Sequence, residues 1–330
     1  MNRRDALFAM LAIGAPPLAA VFAAPAHAQE AAYPSHPVTI VVPFSAGGAL
    51  DIVARLLAEK LRNRFGQPFI VDNRPGAGGT TGITSVVRTK PDGYTLLVAA
   101  TGQIAIAPAV FKKLSFNPLS DLTPISEMTR GPLLLATSPE FKGNTVGELV
   151  RILKENPDKY NYASTGNGTI VHLAAELFKQ RTDTQVTHIP YAGGPQASLA
   201  LMRGDALFTI TNMPNILPHL QGGKLKGLAV TGLTRTNALP HMPTLAESGF
   251  PDFDVTVWLG LFGPKELPTA IVAKLNAAVA EAMRDPEIIK KLALQGDEPA
   301  TGPAEEFAAL LQREANKWGD TVKRANIVLD

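Results

Sequence analysis

Two short loops rich in small residues have the residue types and spacing best suited to binding a ligand. The first, Pro-Phe-Ser-Ala-Gly-Gly at 43–48, and the second, Ser-Thr-Gly-Asn-Gly-Thr at 164–169, each follow a predicted strand and open into a predicted helix. Such a loop leaves several main-chain N–H groups unpaired at the positive end of the helix dipole. The loops are therefore predicted to bind an anion without a basic side chain, although such glycines also serve simply to permit tight turns.

Side-chain chemistry has much weaker support in the sequence. The chain has no cysteine, which excludes disulfides, thiolate zinc sites and cysteine nucleophiles together. Its 6 histidines lack metal-ligand spacing, and no dinucleotide, Walker, H-E-x-x-H or G-x-S-x-G pattern is present. We therefore expect no metal, no cofactor and no catalytic residue. The competing enzyme hypothesis is a hydrolase or isomerase that uses His172 with Ser164 or Asp51.

Length and charge narrow the class of protein further. The 330 residues are enough for two packed cores, because a single core usually stops growing before about 300 residues. The 31 basic and 29 acidic residues give a formal charge of +2. A balance this even argues against a polybasic nucleic-acid binder, so no nucleic-acid partner is expected.

Alternating strands and helices must position the two loops. The β-branched run at 38–42 is typical of a strand buried on both faces, and helical periodicity follows it to about residue 64. Further strands are predicted at 69–71, 95–99, 133–136, 161–163, 186–189, 207–210 and 228–230, and helices at 82–89, 146–155, 170–180, 196–203, 268–284 and 303–323. This alternation predicts an α/β fold with largely parallel sheets, in which ligands bind beyond the carboxyl ends of the strands.

The first 28 residues are predicted to be a cleaved signal peptide. Arg3 and Arg4 precede an apolar stretch rich in Ala and Leu, and the triplet at 26–28 supplies the small-x-small pattern of signal peptidase sites. Prolines and a glycine in or beside the apolar stretch argue against a membrane anchor. Cleavage after Ala28 would release a periplasmic protein, by either the general or the twin-arginine export route.

Further motifs, in a fixed order along the chain, resemble one known family. They are VDNRPGAGG at 71–79, PDGYTL at 91–96, HLA at 172–174, PYAG at 190–193, PTLAESGFP at 243–251 and WLGLFGP at 258–264. With the two loops, they resemble the extracytoplasmic solute receptors of tripartite tricarboxylate transporters, also called Bug receptors. The resemblance implies a type II periplasmic-binding fold, in which two α/β lobes joined by crossing segments enclose a ligand cleft. Lobe 1 would comprise residues 29–131 and 253–330, and lobe 2 residues 132–252.

The resemblance also implies which residues contact the ligand, a small organic carboxylate. Lobe 1 would contribute Phe44, Ser45, Ala46, Gly47, Gly48, Asp51 and Thr101, and lobe 2 Thr165, Gly166, Gly168, Thr169, His172, Tyr191 and Asp205. Phe44 would pack on the carbon skeleton, the loops would offer N–H groups, and Thr101 would offer a hydroxyl. Asp51 could instead complement the helix dipole, and Tyr191 could instead belong to the core.

The function implied by the resemblance is capture of a solute by hinge closure. A monomeric receptor would present its closed form to the membrane permease of a tripartite tricarboxylate transporter, or to a sensor protein. A ligand-responsive interaction protein without a role in transport is the alternative. The nearest basic side chains, Arg55 and Arg74, are expected to form structural ion pairs rather than ligand contacts.

Overall fold

The computed structural model describes residues 33–329, so the predicted signal peptide lies outside the described residues. Strands and helices alternate from the first element. The first group comprises β1 (Val38–Val42), α1 (Ala49–Phe65), β2 (Phe69–Asn73), a 3₁₀ turn (Ala77–Gly79), α2 (Thr80–Val87), β3 (Thr95–Ala100), a π-helical segment (Gly102–Ile106), α3 (Ala107–Val110) and α4 (Pro118–Asp121). The long strand β4 (Leu122–Thr137) follows and leads into a second group of elements.

The second group has the same alternation, and the chain then returns to the first. The second group comprises α5 (Val146–Glu155), β5 (Asn161–Ser164), α6 (Ile170–Thr182), β6 (Thr187–Pro190), α7 (Gly194–Arg203), β7 (Phe208–Asn212), α8 (Met213–Gln221) and β8 (Lys226–Val230). The returning segment comprises β9 (Thr256–Pro264), α9 (Thr269–Ala282), α10 (Pro286–Ala293), β10 (Glu298–Pro299) and α11 (Ala304–Ala325).

The strands are hydrogen-bonded in the order β2-β1-β3-β9-β4-β7-β5-β6, with β8 and β10 also paired to β4. β1 is parallel to β2 and β3, and β5 is parallel to β6 and β7. This confirms the predicted α/β fold. The prediction of largely parallel sheets is wrong at the centre, because β4 and β9 cross between the groups in opposite directions and pair antiparallel with their neighbours.

Prolines interrupt the sequence pattern of two elements, β4 and α8. Only residues 133–136 of β4 were predicted, because Pro124 and Pro132 cannot donate to a strand ladder. The structure accommodates Pro124 by a register shift against β9. Helix α8 was not predicted because it contains Pro214 in its first turn and Pro218 in its interior.

Alternate residues of the central strands pack on opposite faces of the sheet. In β3, Leu97 and Ala99 belong to one hydrophobic cluster, and Leu96 and Val98 belong to another. The first cluster extends from α11 through β4 to α6 and is therefore continuous across both groups. Gln180 Nε2 in α6 also donates to the Thr321 carbonyl in α11, at 3.1 Å. Within residues 33–329, no helix is both long enough and apolar enough to span a membrane.

Candidate functional site

The register of β4 determines how the two groups of strands face one another. β4 pairs with β9 up to Pro132 and with β7 and β8 from Leu133 onward. Since β9 is antiparallel to both β3 and β4, the strands β1, β2 and β3 point along β4 toward the second group. β5, β6 and β7 run opposite to β4 and point toward the first group. The carboxyl ends of the two groups therefore face each other.

The distance between these facing ends follows from the same register. Ala100, the last residue of β3, is level with Leu259 of β9, which pairs with Thr129 of β4. Asn212, the last residue of β7, pairs with Leu133 of β4. Four residues of extended strand separate these two levels, or about 13 Å at ~3.3 Å per residue.

The first loop leaves the carboxyl end of β1 and leads into α1 with its main-chain donors largely free. Residues 45–48 are exposed, and no group of the described chain accepts a hydrogen bond from the amide of Ser45 or Ala46. Gly48 is the N-cap of α1 and provides no side-chain cap. The first-turn amides of α1 therefore remain available to an anion.

A buried carboxylate holds this loop in shape. Asp51 is only 3% exposed and accepts hydrogen bonds from the Gly47 amide at 2.9 Å, from Arg55 Nε at 2.9 Å and from Asn73 Nδ2 at 3.0 Å. The Arg55 hydrogen bond, with help from Gly47 and Asn73, lowers the pKa of Asp51 to about 2. The carboxylate therefore serves the protein itself, and Arg55 offsets its charge.

Phe44 and Thr101, the other residues predicted to bind ligand in the first group, use their polar atoms in bonds within the protein. The Phe44 carbonyl accepts from Asn73 Nδ2 at 3.0 Å, while the Phe44 ring lies beside Gly79 and is partly exposed. The Thr101 hydroxyl is fully buried, accepts from the Trp258 amide at 2.9 Å and donates to the Trp258 carbonyl at 3.4 Å. These two bonds link the end of β3 to β9. The geometry therefore does not favour the predicted contact between Thr101 and a ligand.

The second loop, at the carboxyl end of β5, uses more of its donors internally. The Gly166 amide donates to Ser164 Oγ at 3.1 Å, and the Gly168 amide donates to His172 Nδ1 at 3.1 Å. Thr169 Oγ1 caps α6 by accepting from the His172 amide at 3.3 Å. Of the loop residues, Thr165 and Asn167 keep amides with no acceptor in the described chain.

The second loop also lies against elements that extend from β3. A Cβ placed on Gly168 would lie 2.6 Å from Leu329 Cδ1 and 3.6 Å from Val110 Cγ2. Val110 ends α3, and its carbonyl accepts from the Leu329 amide at 2.7 Å. The chain therefore brings its last described residues and the second loop together.

The other predicted residues of the second group are spread along its sheet. His172 is 5% exposed and stacks on His188, with ring centroids 3.9 Å apart. Tyr191 follows β6 and packs partly buried against Ala163 and its neighbours. Asp205 is exposed and precedes β7, at the amino end of the strand, which is the edge of the sheet remote from the loops. This position before the amino end of β7 therefore does not favour ligand contact.

The side chains proposed for an enzyme are engaged elsewhere. Ser164 is fully buried, and its Oγ lies 2.6 Å from His188 Nε2 rather than beside His172. Asp51 is paired with Arg55 within α1, the helix that follows the first loop. Arg74 pairs with Asp72 at 2.8 Å, so both predicted structural ion pairs are confirmed. No group of His, Asp or Glu within residues 33–329 is arranged to hold a metal.

Sequence reasoning missed two residues that shape the loops. Asn73 links the Phe44 carbonyl to Asp51, and His188 supports Ser164. Both lie more than 20 positions from their partners, so no local pattern could pair them. Their only signal was position, because each lies in or at the end of a parallel strand that neighbours a loop-bearing strand.

Two α/β groups whose strand ends and glycine-rich loops face each other across crossing strands define a solute-binding protein. Comparison with known sequences makes this more specific. Residues 53–327 match the tripartite tricarboxylate transporter family receptor, TctC, and the chain belongs to that family. It is a periplasmic solute-binding receptor and not an enzyme.

Individual relatives agree with this assignment over nearly the full chain. Protein BugT from Bordetella pertussis is 33% identical over 298 residues, which are 90% of this chain and 91% of BugT. The structure of Rpa4515 from R. palustris with adipate has a TM-score of 0.75 at 33% identity and covers 90% of this chain and 99% of its own. MatC from Rhodopseudomonas palustris with bound malate has a TM-score of 0.70 at 34% identity and covers 88% and 100%.

Proposed function

We propose that this receptor binds a small organic carboxylate between residues 44–51 and 165–172, mainly through main-chain N–H groups. The observation that carries the proposal is the uncapped first turn of α1. Gly48 supplies no cap, and the exposed amides of Ser45 and Ala46 precede it without an internal acceptor in the described chain. A carboxylate oxygen placed there would take the role that a capping side chain usually takes.

Charge balance in the first loop is compatible with an anionic ligand. Asp51 lies in the first turn of α1, where its negative charge would repel a carboxylate. Arg55 pairs with it at 2.9 Å, and Asn73 and Gly47 satisfy its remaining lone pairs. The ligand therefore meets a neutralised carboxylate and a set of N–H donors, whose hydrogen bonds to an anion are stronger than those to a neutral group.

The relatives support a dicarboxylate in particular. Rpa4515 was solved with adipate and MatC with malate, and both of those ligands carry two carboxylates. One carboxylate would bind at the first loop and the other at the amides of Thr165 and Asn167 in the second. The partly exposed ring of Phe44 would pack on the carbon chain between them.

Closure of two lobes would trap the ligand. The lobes are residues 29–131 with 253–330, and residues 132–252. Supporting this division, β4 exchanges β9 for β7 and β8 between Pro132 and Leu133, and the Val255 amide donates to the Thr231 carbonyl just before β9 begins. Rotation about these crossing segments would exclude water and strengthen each hydrogen bond to the ligand.

Delivery completes the proposed function. After cleavage behind Ala28, the monomeric receptor would carry its ligand through the periplasm to the permease subunits of a tripartite tricarboxylate transporter. A sensor protein is the alternative recipient. Capture of membrane proteins on the immobilised receptor, with and without adipate or malate, separates the two: a permease supports transport, and a membrane sensor supports signalling.

Calorimetric titration with adipate and malate tests the binding step. Each charge-assisted hydrogen bond contributes about 1.5–3 kcal/mol. A micromolar Kd corresponds to about 8 kcal/mol after the costs of association, so it requires hydrogen bonds from both loops together with the packing on Phe44. Adipamide, which has the same carbon chain without charge, serves as the control and should bind at least tenfold more weakly. The ligand should be recovered unchanged by mass spectrometry.

The result that would contradict the proposal is the absence of heat and of a thermal shift with a full panel of dicarboxylates, tricarboxylates, aromatic acids and acidic amino acids. Preferential binding of adipamide would contradict it equally. Native mass spectrometry of freshly purified protein would identify the physiological acid, because a tightly held ligand is retained in the gas phase.

A further inference from the structure

Two stacked imidazoles lie directly beneath the second loop. His172 is in the first turn of α6 and His188 is in β6; their ring centroids are 3.9 Å apart and their planes differ by 11°. Tyr162 of β5 stacks beside both rings, at 4.9 Å from His188 and 6.4 Å from His172. The rings therefore form a continuous aromatic layer under residues 164–169.

Each imidazole supports one glycine amide of the loop. His172 Nδ1 accepts directly from the Gly168 amide at 3.1 Å. His188 Nε2 contacts Ser164 Oγ at 2.6 Å, and that oxygen accepts from the Gly166 amide at 3.1 Å. Both glycines have positive φ, +125° at Gly166 and +71° at Gly168. These contacts fix the two residues whose backbones turn the loop, and so set the direction of the neighbouring Thr165 and Asn167 amides.

The arrangement depends on neutral rings. His172 Nδ1 can accept from Gly168 only when it carries no proton, and two cationic rings could not remain stacked at this distance. Burial lowers the pKa of both histidines, that of His188 to about 4. The charged groups that face the pair are Glu176, which favours a protonated His172, and Lys179, which opposes protonation of both rings.

The charged and polar groups that face the two histidines also bond to one another. Lys179 pairs with Glu176 at 2.8 Å, and the Tyr162 hydroxyl donates to Glu176 Oε1 at 2.5 Å. Both bonds go to Oε1, so the Lys179 ammonium offsets part of the negative charge that Glu176 presents to His172. On the β7 side, the pair is bordered by Phe208, which stacks on Tyr162.

We propose that His172 and His188 are positioning residues for the ligand loop, and that protonation of the pair releases residues 164–169 and weakens ligand binding in acid. The ligand part of this proposal rests on the proposed function, whereas the positioning part concerns the free protein. Neither histidine needs to touch the ligand. An ordered loop at neutral pH and a loosened loop at about pH 4 and below are the two states.

Four variants separate positioning from general stability. His172→Asn keeps an acceptor near the Nδ1 position but cannot be protonated, and His172→Phe keeps the aromatic layer but removes the acceptor. His188→Gln retains a polar group able to reach Ser164. The control is His36→Asn, because His36 also stacks on an aromatic ring, Tyr94 at 3.6 Å, and is exposed before β1.

The first readout is amide hydrogen exchange of the peptide covering residues 164–169 in ligand-free protein, corrected for the intrinsic pH dependence of exchange. At pH 7, we expect exchange in His172→Phe to rise at least tenfold, and in His172→Asn, His188→Gln and His36→Asn to stay within threefold of wild type. At pH 4, wild type and His36→Asn should loosen, and His172→Asn should loosen least. Circular dichroism confirms that each variant is folded.

The second readout is the Kd for adipate and malate between pH 7.5 and pH 4. Protonation of the ligand affects wild type and variants equally, so the difference between them isolates the protein. We expect the Kd of wild type to rise about tenfold more steeply than that of His172→Asn. Unchanged exchange in His172→Phe, or a His172→Asn variant with the wild-type pH profile, would overturn the proposal.

The two proposals can fail separately. If residues 164–169 loosen in His172→Phe and stay ordered in His172→Asn, the positioning role is supported even when neither adipate nor malate binds wild type. That second result would count against the proposed ligand class alone.

Discussion

The first and second loops follow the same local pattern, yet different chemistry holds each of them. In residues 43–48, a buried carboxylate with a guanidinium and an amide partner fixes Gly47, and the N-terminus of α1 has no cap. In residues 164–169, two neutral imidazoles and a hydroxyl fix the glycines, and Thr169 caps α6. The first loop therefore offers more free N–H donors, and the second is the one whose support can titrate within the acidic range.

This difference indicates a division of roles. The ion pair of the first loop keeps its charge state at every pH above about 3, because the pKa of Asp51 is held at about 2. The first loop is thus a constant anion site. The imidazole support makes the second loop conditional, since the Nδ1 acceptor of His172 is lost on protonation.

Asp51→Ala should have the largest effect. It removes the acceptor for Gly47, Arg55 and Asn73 from a site that is 3% exposed. Arg55 is half exposed and can be rehydrated, so we expect a loss of about 2–3 kcal/mol in the free energy of unfolding. Urea denaturation measures it.

The control for this variant is Asp72→Ala, because Asp72 forms an exposed ion pair with Arg74 next to the same loop. Its loss should be at most about 1 kcal/mol. Equal losses in the two variants would show that the Asp51 network does not hold the first loop.

Alanine at the two glycines should distinguish the surroundings of the loops. Gly47 and Gly168 have similar φ values, +88° and +71°, so the strain of an added Cβ costs about 1–2 kcal/mol at each. A Cβ at Gly47 meets nothing within 4 Å, whereas one at Gly168 meets Leu329 at 2.6 Å. Gly168→Ala should therefore cost about 1 kcal/mol more than Gly47→Ala in thermal or urea unfolding. The reverse order would contradict the packing described for the second loop.

Ala46→Pro should weaken ligand binding without destabilising the fold. The positive φ of Gly47 gives residues 45–48 the signature of a type II turn, in which proline is favoured at the second position. The substitution deletes the Ala46 N–H, and losing one charge-assisted hydrogen bond of about 1.5–3 kcal/mol lowers affinity by about tenfold or more. Calorimetry with adipate measures this, with Ala46→Ser as the control that keeps the amide. Wild-type affinity in Ala46→Pro would exclude this amide from the site.

Acid should act on the second loop. His188 has its pKa lowered from 6.5 to about 4 by burial, so between those values the unfolded chain binds the proton more readily. The stability contribution is thus complete above pH 6.5 and is lost progressively as the pH falls toward 4. Asp51 should contribute no loss until the pH falls below 4. Urea unfolding of wild type and His188→Gln at pH 7 and pH 4.5 checks this, and an identical decrease in both would contradict it.

The sequence predicted those parts of the fold that depend on local periodicity. Strand β1 and helix α5 have the predicted bounds. A β-branched run identifies the strand and an amphipathic repeat identifies the helix from local sequence alone. The first half of β4 and the whole of α8 were missed, since prolines broke the pattern and only pairing with β9 or packing of the helix overrides them.

The site was predictable to the level of the loops but not to that of their supports. Small residues after a strand indicated both amide loops, and motif resemblance indicated the family. The sequence could not show that Gly168 gives its N–H to His172, nor that the Thr101 hydroxyl bonds to Trp258, 157 residues away. Such bonds depend on how strands are ordered in the sheet, and strand order is a property of the whole chain.

The central claim is that main-chain amides of both loops bind one carboxylate ligand. Amide chemical shifts recorded by nuclear magnetic resonance during titration with adipate test it most directly. We predict that the amides of Ser45, Ala46, Thr165 and Asn167 shift together with a single Kd, and more strongly than those of Gly47 and Gly168, which are bonded internally. Saturable binding that shifts the amides of only one loop, or of neither, would contradict the claim.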